Sequence, residues 1–216
     1  MMPTMMNRRS LHRLALGLGA STVLTLAAPA CAADEAPDAL IQRVSADALE
    51  TLRTDKSFQS GDIPKIVALV DKVVMPHVNF RRMTSSAVGP GWRKATPEQQ
   101  ARLQQEFKTL LVRTYAGALA QVKDESVTVK PMRAKPGDTD VLVRTEVRGR
   151  GDPVQLDYRL EKTPGEGAGW KIYNLNVMGV WLVETYRNQF AQEINAKGVD
   201  GLIATLAQRN ATGESK

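Results

Sequence analysis

The chain has 216 residues, of which 43% are hydrophobic, 24% charged and 5% aromatic. Its 29 lysine and arginine residues exceed its 23 aspartate and glutamate residues, which gives a formal net charge of +6 at pH 7. A mild positive excess without an aromatic–basic strand argues against nucleic-acid binding and suits approach to an anionic membrane surface.

The N-terminal segment has the three parts of a secretory signal peptide. Residues 7–13 form a basic head, residues 14–28 form an apolar run, and residues 29–33 are mostly small. A bilayer-spanning helix needs about 20 apolar residues, so this run is too short for a permanent anchor. We therefore predict a cleavable signal peptide over residues 1–33 and a single exported domain over residues 34–216.

Two details of export stay open. The pair Arg8-Arg9 fits either an ordinary signal head or twin-arginine export. Cys31 is the single cysteine of the chain, and cleavage would leave the mature protein without a disulfide or a thiolate ligand. The competing interpretation makes Cys31 the lipidated first residue of a lipoprotein, although the residues before it lack the leucine typical of that signal.

Three helices are predicted in the first half of the mature chain. The first begins at Pro37, the second begins after an N-cap at Asp62 and ends or kinks at Pro76, and the third begins with the capping box of residues 96–99. Residues at three- and four-residue spacing give each helix an apolar face. These faces consist of Leu40, Ile41, Val44, Ala48 and Leu52; Ile63, Ile66, Val67, Val70, Val73 and Val74; and Leu103, Phe107, Leu110, Leu111, Thr114, Tyr115, Ala118, Leu119 and Val122.

Alternation between residues 126 and 177 predicts antiparallel strands with one covered and one solvated face. The residues expected on covered faces are Val127 and Val129; Val141, Val143, Thr145 and Val147; Leu156, Tyr158 and Leu160; and Tyr173, Leu175 and Val177. Turns are predicted at residues 136–138, 149–153 and 165–169. A helix with Leu182, Val183, Tyr186, Phe190 and Ile194 follows, ends at Gly198, and is succeeded by a short helix from Val199 to Arg209. Helices grouped apart from a strand meander predict an α+β domain.

The residues that carry most enzymatic chemistry are scarce in this sequence. His77 is the one imidazole left after signal cleavage, and it lies beside Pro76 at the end of an apolar helix, where a structural role is the ordinary one. The carboxylate pairs Asp124/Glu125 and Asp138/Asp140 lie in turn contexts. A catalytic triad or a zinc site would need partners that the sequence does not offer. We predict no catalytic residues, no metal site, no cofactor and no enzymatic activity.

Periodicity alone cannot distinguish a filled core from a lined cavity. Two runs suggest a cavity mouth, because they place large apolar groups beside flexible backbone. These are residues 89–92 and residues 178–181, and each run ends in a tryptophan.

Several runs in the mature chain resemble the MlaC family of periplasmic phospholipid-binding proteins, which are associated with toluene tolerance and outer-membrane lipid asymmetry. The runs are Met75-Pro76-His77-Val78-Asn79-Phe80-Arg81-Arg82-Met83, residues 88–100, residues 107–116, residues 169–174 and Tyr186-Arg187-Asn188-Gln189-Phe190. They cover nearly all of the mature chain in the family's order. The sequence departs from the family at Asn174, where aspartate is common, and at Trp181, where a small polar residue is common.

The resemblance implies a curved antiparallel sheet, similar to nuclear-transport-factor-2-like folds, wrapped by helices around an apolar pocket. It further implies a monomeric periplasmic lipid-binding domain over residues 34–216, which holds phospholipid tails inside and the head group near solvent. Its implied partners are the phospholipid, an outer-membrane lipoprotein–porin complex and an inner-membrane ABC transporter with a substrate-binding ring. Fourteen residues are expected to line the pocket, namely Val74, Val78, Phe80, Met83, Trp92, Phe107, Leu111, Tyr115, Val143, Leu156, Tyr158, Leu175, Val177 and Trp181.

Three alternatives remain at this point. The first keeps the fold but changes the cargo to a hopanoid or another polycyclic lipid, with Trp181 reshaping the pocket. The second is a small enzyme on the same scaffold, with a buried Asp or Glu or His77 at the cavity floor and a shifted pKa. The third is a lipidated structural adaptor that retains Cys31.

Overall fold

A computed structural model of the chain describes residues 35–133, 135 and 137–213. The predicted signal peptide, the two export alternatives that rest on it, and Pro136 of the first predicted turn lie outside the described residues.

The described chain contains six helices and five strands. The helices are α1 (Pro37–Thr54), α2 (Ile63–Leu69), α3 (Phe80–Val88), α4 (Pro90–Lys94), α5 (Pro97–Ala120) and α6 (Leu182–Thr212). The strands are β1 (Ser126–Val129), β2 (Asp140–Arg148), β3 (Val154–Lys162), β4 (Trp170–Val177) and β5 (Val180–Trp181). Short 3₁₀ turns lie at Lys56–Ser60 and Met75–His77. Five helices thus precede a meander of strands and one follows it, so the α+β prediction is confirmed.

The predicted helix starts and the predicted break in the last helix are present. Pro37 stands in the first turn of α1. Thr96 caps α5, where Gln99 N–H donates to Thr96 Oγ1 at 3.2 Å and Thr96 N–H donates to Gln99 Oε1 at 2.9 Å. In α6, Gly198 has a φ of 72°, which separates two helical halves at the predicted residue.

The region between Leu69 and Pro97 differs from the prediction. Instead of continuing to Pro76, α2 ends at Leu69 and passes into a π turn over Val70–Val74. The sequence did not predict α3 and α4, because each is too short to show a clear helical period. Their starts are nevertheless encoded, since Asn79 Oδ1 accepts a hydrogen bond from Arg82 N–H at 3.0 Å and Pro90 opens α4.

All neighbouring strands are antiparallel, and the strands pair in chain order from β1 to β5. Residues paired across strands share a face, which defines an inner and an outer face of the sheet. The inner face carries Val127, Val129, Val141, Val143, Thr145, Val147, Leu156, Tyr158, Leu160, Leu175, Val177 and Val180. The outer face is charged, with Arg144, Glu146, Asp157, Arg159 and Glu161.

One strand alternates differently from the prediction. A register shift beside Leu160 places Ile172 opposite that residue and leaves Tyr173 without a partner in β3. Tyr173 therefore does not continue the row of Leu175. Its hydroxyl lies 2.7 Å from Asp140 Oδ2 at the outer face, and the Arg82 guanidinium carbon lies 3.5 Å from the centre of its ring. A bulge of this kind is not visible in single-sequence alternation.

Helices cover the inner face unevenly. Leu40, Ile41 and Val44 of α1 pack with Val141 and Val143 on β2. At the other side, α3, α5 and α6 form an aromatic core that reaches β4. Within the described part of the chain, none of the helices combines the length and hydropathy that crossing a bilayer requires.

Candidate functional site

The middle of the inner face retains accessible apolar surface. Leu156 and Tyr158 on β3 and Leu175 and Val177 on β4 are all partly exposed. The neighbouring Val143 is fully buried. The two strands therefore present four adjacent apolar side chains that the rest of the protein does not fully cover.

Side chains from the helical side face the same region. Leu111 and Tyr115 lie one turn apart on α5, and both pack against the same buried aromatic cluster that Leu175 and Val177 pack against. Val78 packs against this cluster and also against the one under α1, so it lies between the two. These three residues, like those on the sheet, are partly exposed rather than buried. We refer to Val78, Leu111, Tyr115, Leu156, Tyr158, Leu175 and Val177 as the open apolar surface.

The two phenols of the open apolar surface are partly desolvated. The side chain of Tyr158 retains accessible area, yet burial raises the pKa of its hydroxyl, while interactions with Thr145 and Ser45 act in the opposite direction. Burial also raises the pKa of Tyr115, with a further contribution from Tyr186. Both phenols are therefore neutral at physiological pH and contribute an uncharged lining.

A polar frame attaches Val78 to the sheet. Asn79 N–H donates to Ile172 O at 2.8 Å, and Val78 forms a bridge to Ile172. The Asn79 side-chain amide donates to Glu161 Oε1 at 2.6 Å, and Arg82 forms an ion pair with the other oxygen of Glu161. This frame fixes the segment before α3 as one wall of the open apolar surface.

Four of the predicted lining residues belong instead to a closed core. The Phe107 ring centre lies 5.8 Å from that of Phe80, 5.0 Å from that of Tyr186 and 5.2 Å from that of Phe190. Phe80, Met83, Trp92 and Phe107 all lie in this cluster and are at most 9% exposed.

Two other predicted residues are also separate from the open apolar surface. Val143 is buried under α1. Trp181 pairs with Asn176, which places it on the outer face, and the Arg159 guanidinium carbon lies 4.2 Å from the centre of its ring. Val74 is partly exposed in the π turn.

The structure also qualifies the two predicted cavity-mouth runs. The run that includes Gly91 and Trp92 is a packed helix start, because a Cβ at Gly91 would lie 2.8 Å from Ile194 Cδ1. Met178, in contrast, is exposed. Sequence reasoning missed Met75, which is partly exposed and, like Val78, packs against the aromatic cluster. The sequence offered one indication of this position, because Met75 lies three residues before Val78, with Pro76 between them.

Groups that could support catalysis are not collected at the open apolar surface. His77 is half-buried beside α1, and its pKa is lowered first by burial and then by Arg43. Glu106 is buried, but it pairs with Arg102 at 2.9 Å and accepts a hydrogen bond from Asn210 at 2.7 Å on the side of α5 that faces α6. Within the described ranges, no group of three or more His, Cys, Asp or Glu residues could hold a metal ion.

A cleft of about 500 Å³ lies elsewhere, between β2 and the chain that leads into it. It is lined by Pro131, Met132, Arg133, Asp138, Asp140, Val141, Leu142 and Arg144. Four of these eight residues are charged, so the cleft does not suit acyl chains.

Comparisons with known proteins agree on one family. The family model described as MlaC protein matches residues 42–208. The chain is 28% identical to the toluene tolerance protein ttg2D of Pseudomonas putida, over 85% of this chain and 81% of that protein. It is 22% identical to the intermembrane phospholipid transport system binding protein MlaC of Haemophilus influenzae, over 82% and 83% of the two chains.

A solved structure is similar over most of the described fold. It is the phospholipid-binding protein from Ralstonia solanacearum in complex with a phospholipid, with 47% identity and a TM-score of 0.78. The match covers 82% of this chain and 97% of that one.

Proposed function

This chain belongs to the MlaC family, and from that premise we propose that it is a periplasmic carrier that holds a phospholipid with its acyl chains against the open apolar surface. In this role it moves lipid between the outer and inner membranes and so maintains outer-membrane lipid asymmetry. Residues 34–216 form the carrier domain, and residues 1–33 direct its export.

The observation that carries this proposal is the set of seven partly exposed apolar side chains shared by two strands, α5 and the segment before α3. A protein without an apolar ligand would gain stability by closing over such a surface. The phospholipid-bound relative from Ralstonia, at 47% identity, supplies the ligand class.

The energetics of lipid transfer explain why such a surface is needed. Each methylene group moved from an apolar environment into water costs about 0.8 kcal/mol. Two acyl chains with roughly 30 methylene groups would therefore cost on the order of 25 kcal/mol to expose. A carrier with an apolar lining comparable to a bilayer removes most of this barrier. Its net preference over the membrane can then remain small enough for release.

Carrying rather than catalysis is the role that the surface supports. The side chains of the open apolar surface are aliphatic or neutral phenols, so they can pack against acyl chains but offer no charged group to a reacting bond. His77, the one histidine in the part of the chain that the structure describes, is half-buried near Arg43 and Glu35 on the α1 side.

The proposed partners follow from the family. We propose that a monomer exchanges lipid with an outer-membrane lipoprotein–porin complex and with an inner-membrane ABC transporter that bears a substrate-binding ring. The Haemophilus relative is named as the binding protein of an intermembrane phospholipid transport system, which supports this assignment. The alternative of a polycyclic cargo had Trp181 reshaping the pocket, whereas the pairing of that residue with Asn176 puts it on the outer face.

Native mass spectrometry of the protein purified from cells without detergent tests the proposal. We expect a diacyl phospholipid bound in stoichiometric amount, identified after solvent extraction. A lipid-free mass that does not change after incubation with vesicles would refute the carrier function.

A variant pair tests the site. Leu111→Arg places a charge in the open apolar surface, so bound lipid should be lost while the circular dichroism spectrum is retained. Ala101→Arg adds the same group at an exposed position of the same helix, about three turns before Leu111, and should keep the lipid. Equal lipid content in the two variants would exclude this surface as the binding site.

A further inference from the structure

The turn between β4 and β5 has an unusual sequence for its conformation. Val177 pairs with Val180, so Met178 and Gly179 alone connect the two strands. Met178 has a φ of 51° and Gly179 a φ of 90°, and Met178 is the one non-glycine residue with a positive φ in the described part of the chain. Turns of this kind favour asparagine or aspartate before glycine. Methionine gives the turn no conformational advantage.

The same turn exposes apolar side chains. Met178 is 66% exposed and Val180 is 50% exposed, and they are the exposed large hydrophobic residues among those described. The backbone that presents them is held in place, since Gly179 N–H donates to Asn176 Oδ1 at 2.8 Å and Met178 N–H donates to Gln155 O at 2.9 Å. The exposure of these two side chains is therefore a fixed feature of the fold.

The exposed turn is continuous with the open apolar surface. Across the inner face, Leu156 pairs with Val177, and Val177 pairs with Val180. Exposure increases along this row, from the partly exposed Leu156 and Val177 to the exposed Val180. The row of apolar side chains thus reaches solvent at the β5 edge.

The residues behind the turn have the chemistry of a lipid–water boundary. Trp181 follows Val180 and is partly exposed, and Arg159 stacks on its ring. Arg159 also pairs with Glu184, with 3.0 Å between Nη1 and Oε1. Indole rings are enriched at bilayer interfaces, and guanidinium groups form bidentate contacts with phosphate. Behind the apolar side chains of the turn, on the outer face of the sheet, therefore lie an amphipathic ring and a guanidinium that is paired with Glu184.

We propose that the β4–β5 turn contacts the surface of a phospholipid bilayer, and that lipid passes between the bilayer and the open apolar surface over this edge. The inference rests on the proposed function, because it requires a lipid cargo. A bilayer fits better than a protein partner, since a standard protein interface covers about 800 Å² on each side and has an apolar centre. Shallow insertion needs only a few apolar groups with an aromatic ring and a cation behind them.

The double variant Met178→Asn with Val180→Thr tests this proposal. It gives the turn its preferred asparagine and retains a β-branched residue in β5, so the fold should be preserved. The assay measures transfer of a fluorescent phospholipid between phosphatidylethanolamine–phosphatidylglycerol vesicles with no other protein present. We expect transfer to slow about tenfold or more, because two inserted side chains are lost. The lipid bound on purification from cells should not change.

Val127→Thr is the matched control, because it changes a partly exposed apolar side chain on β1, at the sheet edge opposite β5. This variant should transfer lipid at the wild-type rate. If the double variant also transfers at that rate while the protein carries lipid, the turn is not the bilayer contact, and the proposed function stands. Wild-type protein that transfers lipid only when partner proteins are added would likewise overturn the bilayer contact, in favour of a protein contact. A chain that carries no lipid would refute both proposals.

Discussion

Two apolar regions of this molecule use the same kinds of residue in different ways. Around Phe107, four aromatic rings lie with centres 5.0–5.8 Å apart, and the side chains fill the space between α3, α5 and α6. On the open apolar surface, side chains such as Leu175 and Leu111 retain accessible area. Some residues belong to both environments at once, since Leu111 and Leu175 pack against the edge of the aromatic core.

The difference fits the proposed function, in which the domain divides stability and binding between the two regions. A side chain in the closed core contributes its whole transfer free energy to folding. A side chain on the open apolar surface contributes only part of it, and the rest remains for a ligand. Because α1 closes one part of the sheet and the aromatic core closes another, the strands between them can stay open without loss of the fold.

The largest expected effect comes from breaking the closed region. Phe107→Ala removes the ring that contacts three other aromatic rings, so the free energy of unfolding should fall by about 3–5 kcal/mol. Urea denaturation of lipid-free protein measures this change. Phe107→Leu retains much of the side-chain volume, so its free energy of unfolding should fall clearly less than that of Phe107→Ala. A loss for Phe107→Ala below that of Phe107→Leu would mean that the core is not closed as described.

The aromatic core and the open surface also differ in how well the sequence predicts them. The period of α5 and the alternation of β2 and β3 indicated which residues point inward, because one side of each element meets the rest of the domain. They could not separate Phe107 from Leu111, since both lie on the same helical face. That distinction depends on how far α6 extends over α5, which is a tertiary property.

Local irregularities account for the other differences. The bulge opposite Leu160 moved Tyr173 out of its expected row, and the pairing of Trp181 with Asn176 placed the indole on the outer face. Bulges and two-residue turns change the face of every residue that follows, and alternation does not reveal them. The capping signals at Thr96 and Asp62 were readable because they depend only on neighbours in sequence.

A second change tests the polar frame that attaches Val78 to the sheet. Asn79→Ala removes the cap of α3 and the 2.6 Å hydrogen bond to Glu161, while the backbone contact to Ile172 remains possible. We expect a loss of about 1–2 kcal/mol in the free energy of unfolding, measured by thermal or urea denaturation. Asn79→Asp keeps the capping oxygen but faces the Glu161 carboxylate. The free energy of unfolding of Asn79→Asp should lie between those of wild type and Asn79→Ala if capping dominates. It should be lower than both if repulsion from Glu161 dominates.

A matched pair of leucines compares the two regions directly. Leu110 is 2% exposed in the aromatic core, and Leu110→Ala should cost about 2–5 kcal/mol whether or not lipid is bound. Leu175→Ala should cost about 1 kcal/mol in lipid-free protein, because part of this side chain is already accessible. When lipid is bound, the loss of stability caused by Leu175→Ala should be larger, because the variant lacks contacts through which the ligand stabilises the folded state. Equal costs with and without lipid for Leu175→Ala would mean that Leu175 is ordinary core.

The smallest expected effect concerns pH and the wall next to the open apolar surface. His77 immediately precedes Val78, and its pKa is lowered from 6.5, first by burial and then by Arg43. Below pH 6.5 the unfolded chain therefore binds more protons at this residue than the folded protein, so the free energy of unfolding should decrease as the pH falls from 6.5. The stability that the neutral imidazole provides is fully present above pH 6.5 and is lost as the pH falls through the lower folded value. His77→Gln should flatten the curve in this interval.

Glu35 allows the contribution of His77 to be separated from that of the carboxylates. Its pKa is lowered from 4.5 by the hydrogen bonds with Arg43, so its stabilising effect is lost only as the pH falls below that value. Glu35→Gln should therefore leave the slope between pH 5 and 6.5 nearly unchanged, although it also removes a charge near His77. A slope in that interval that persists in His77→Gln would show that the segment next to the open apolar surface is not sensitive to protonation of its histidine.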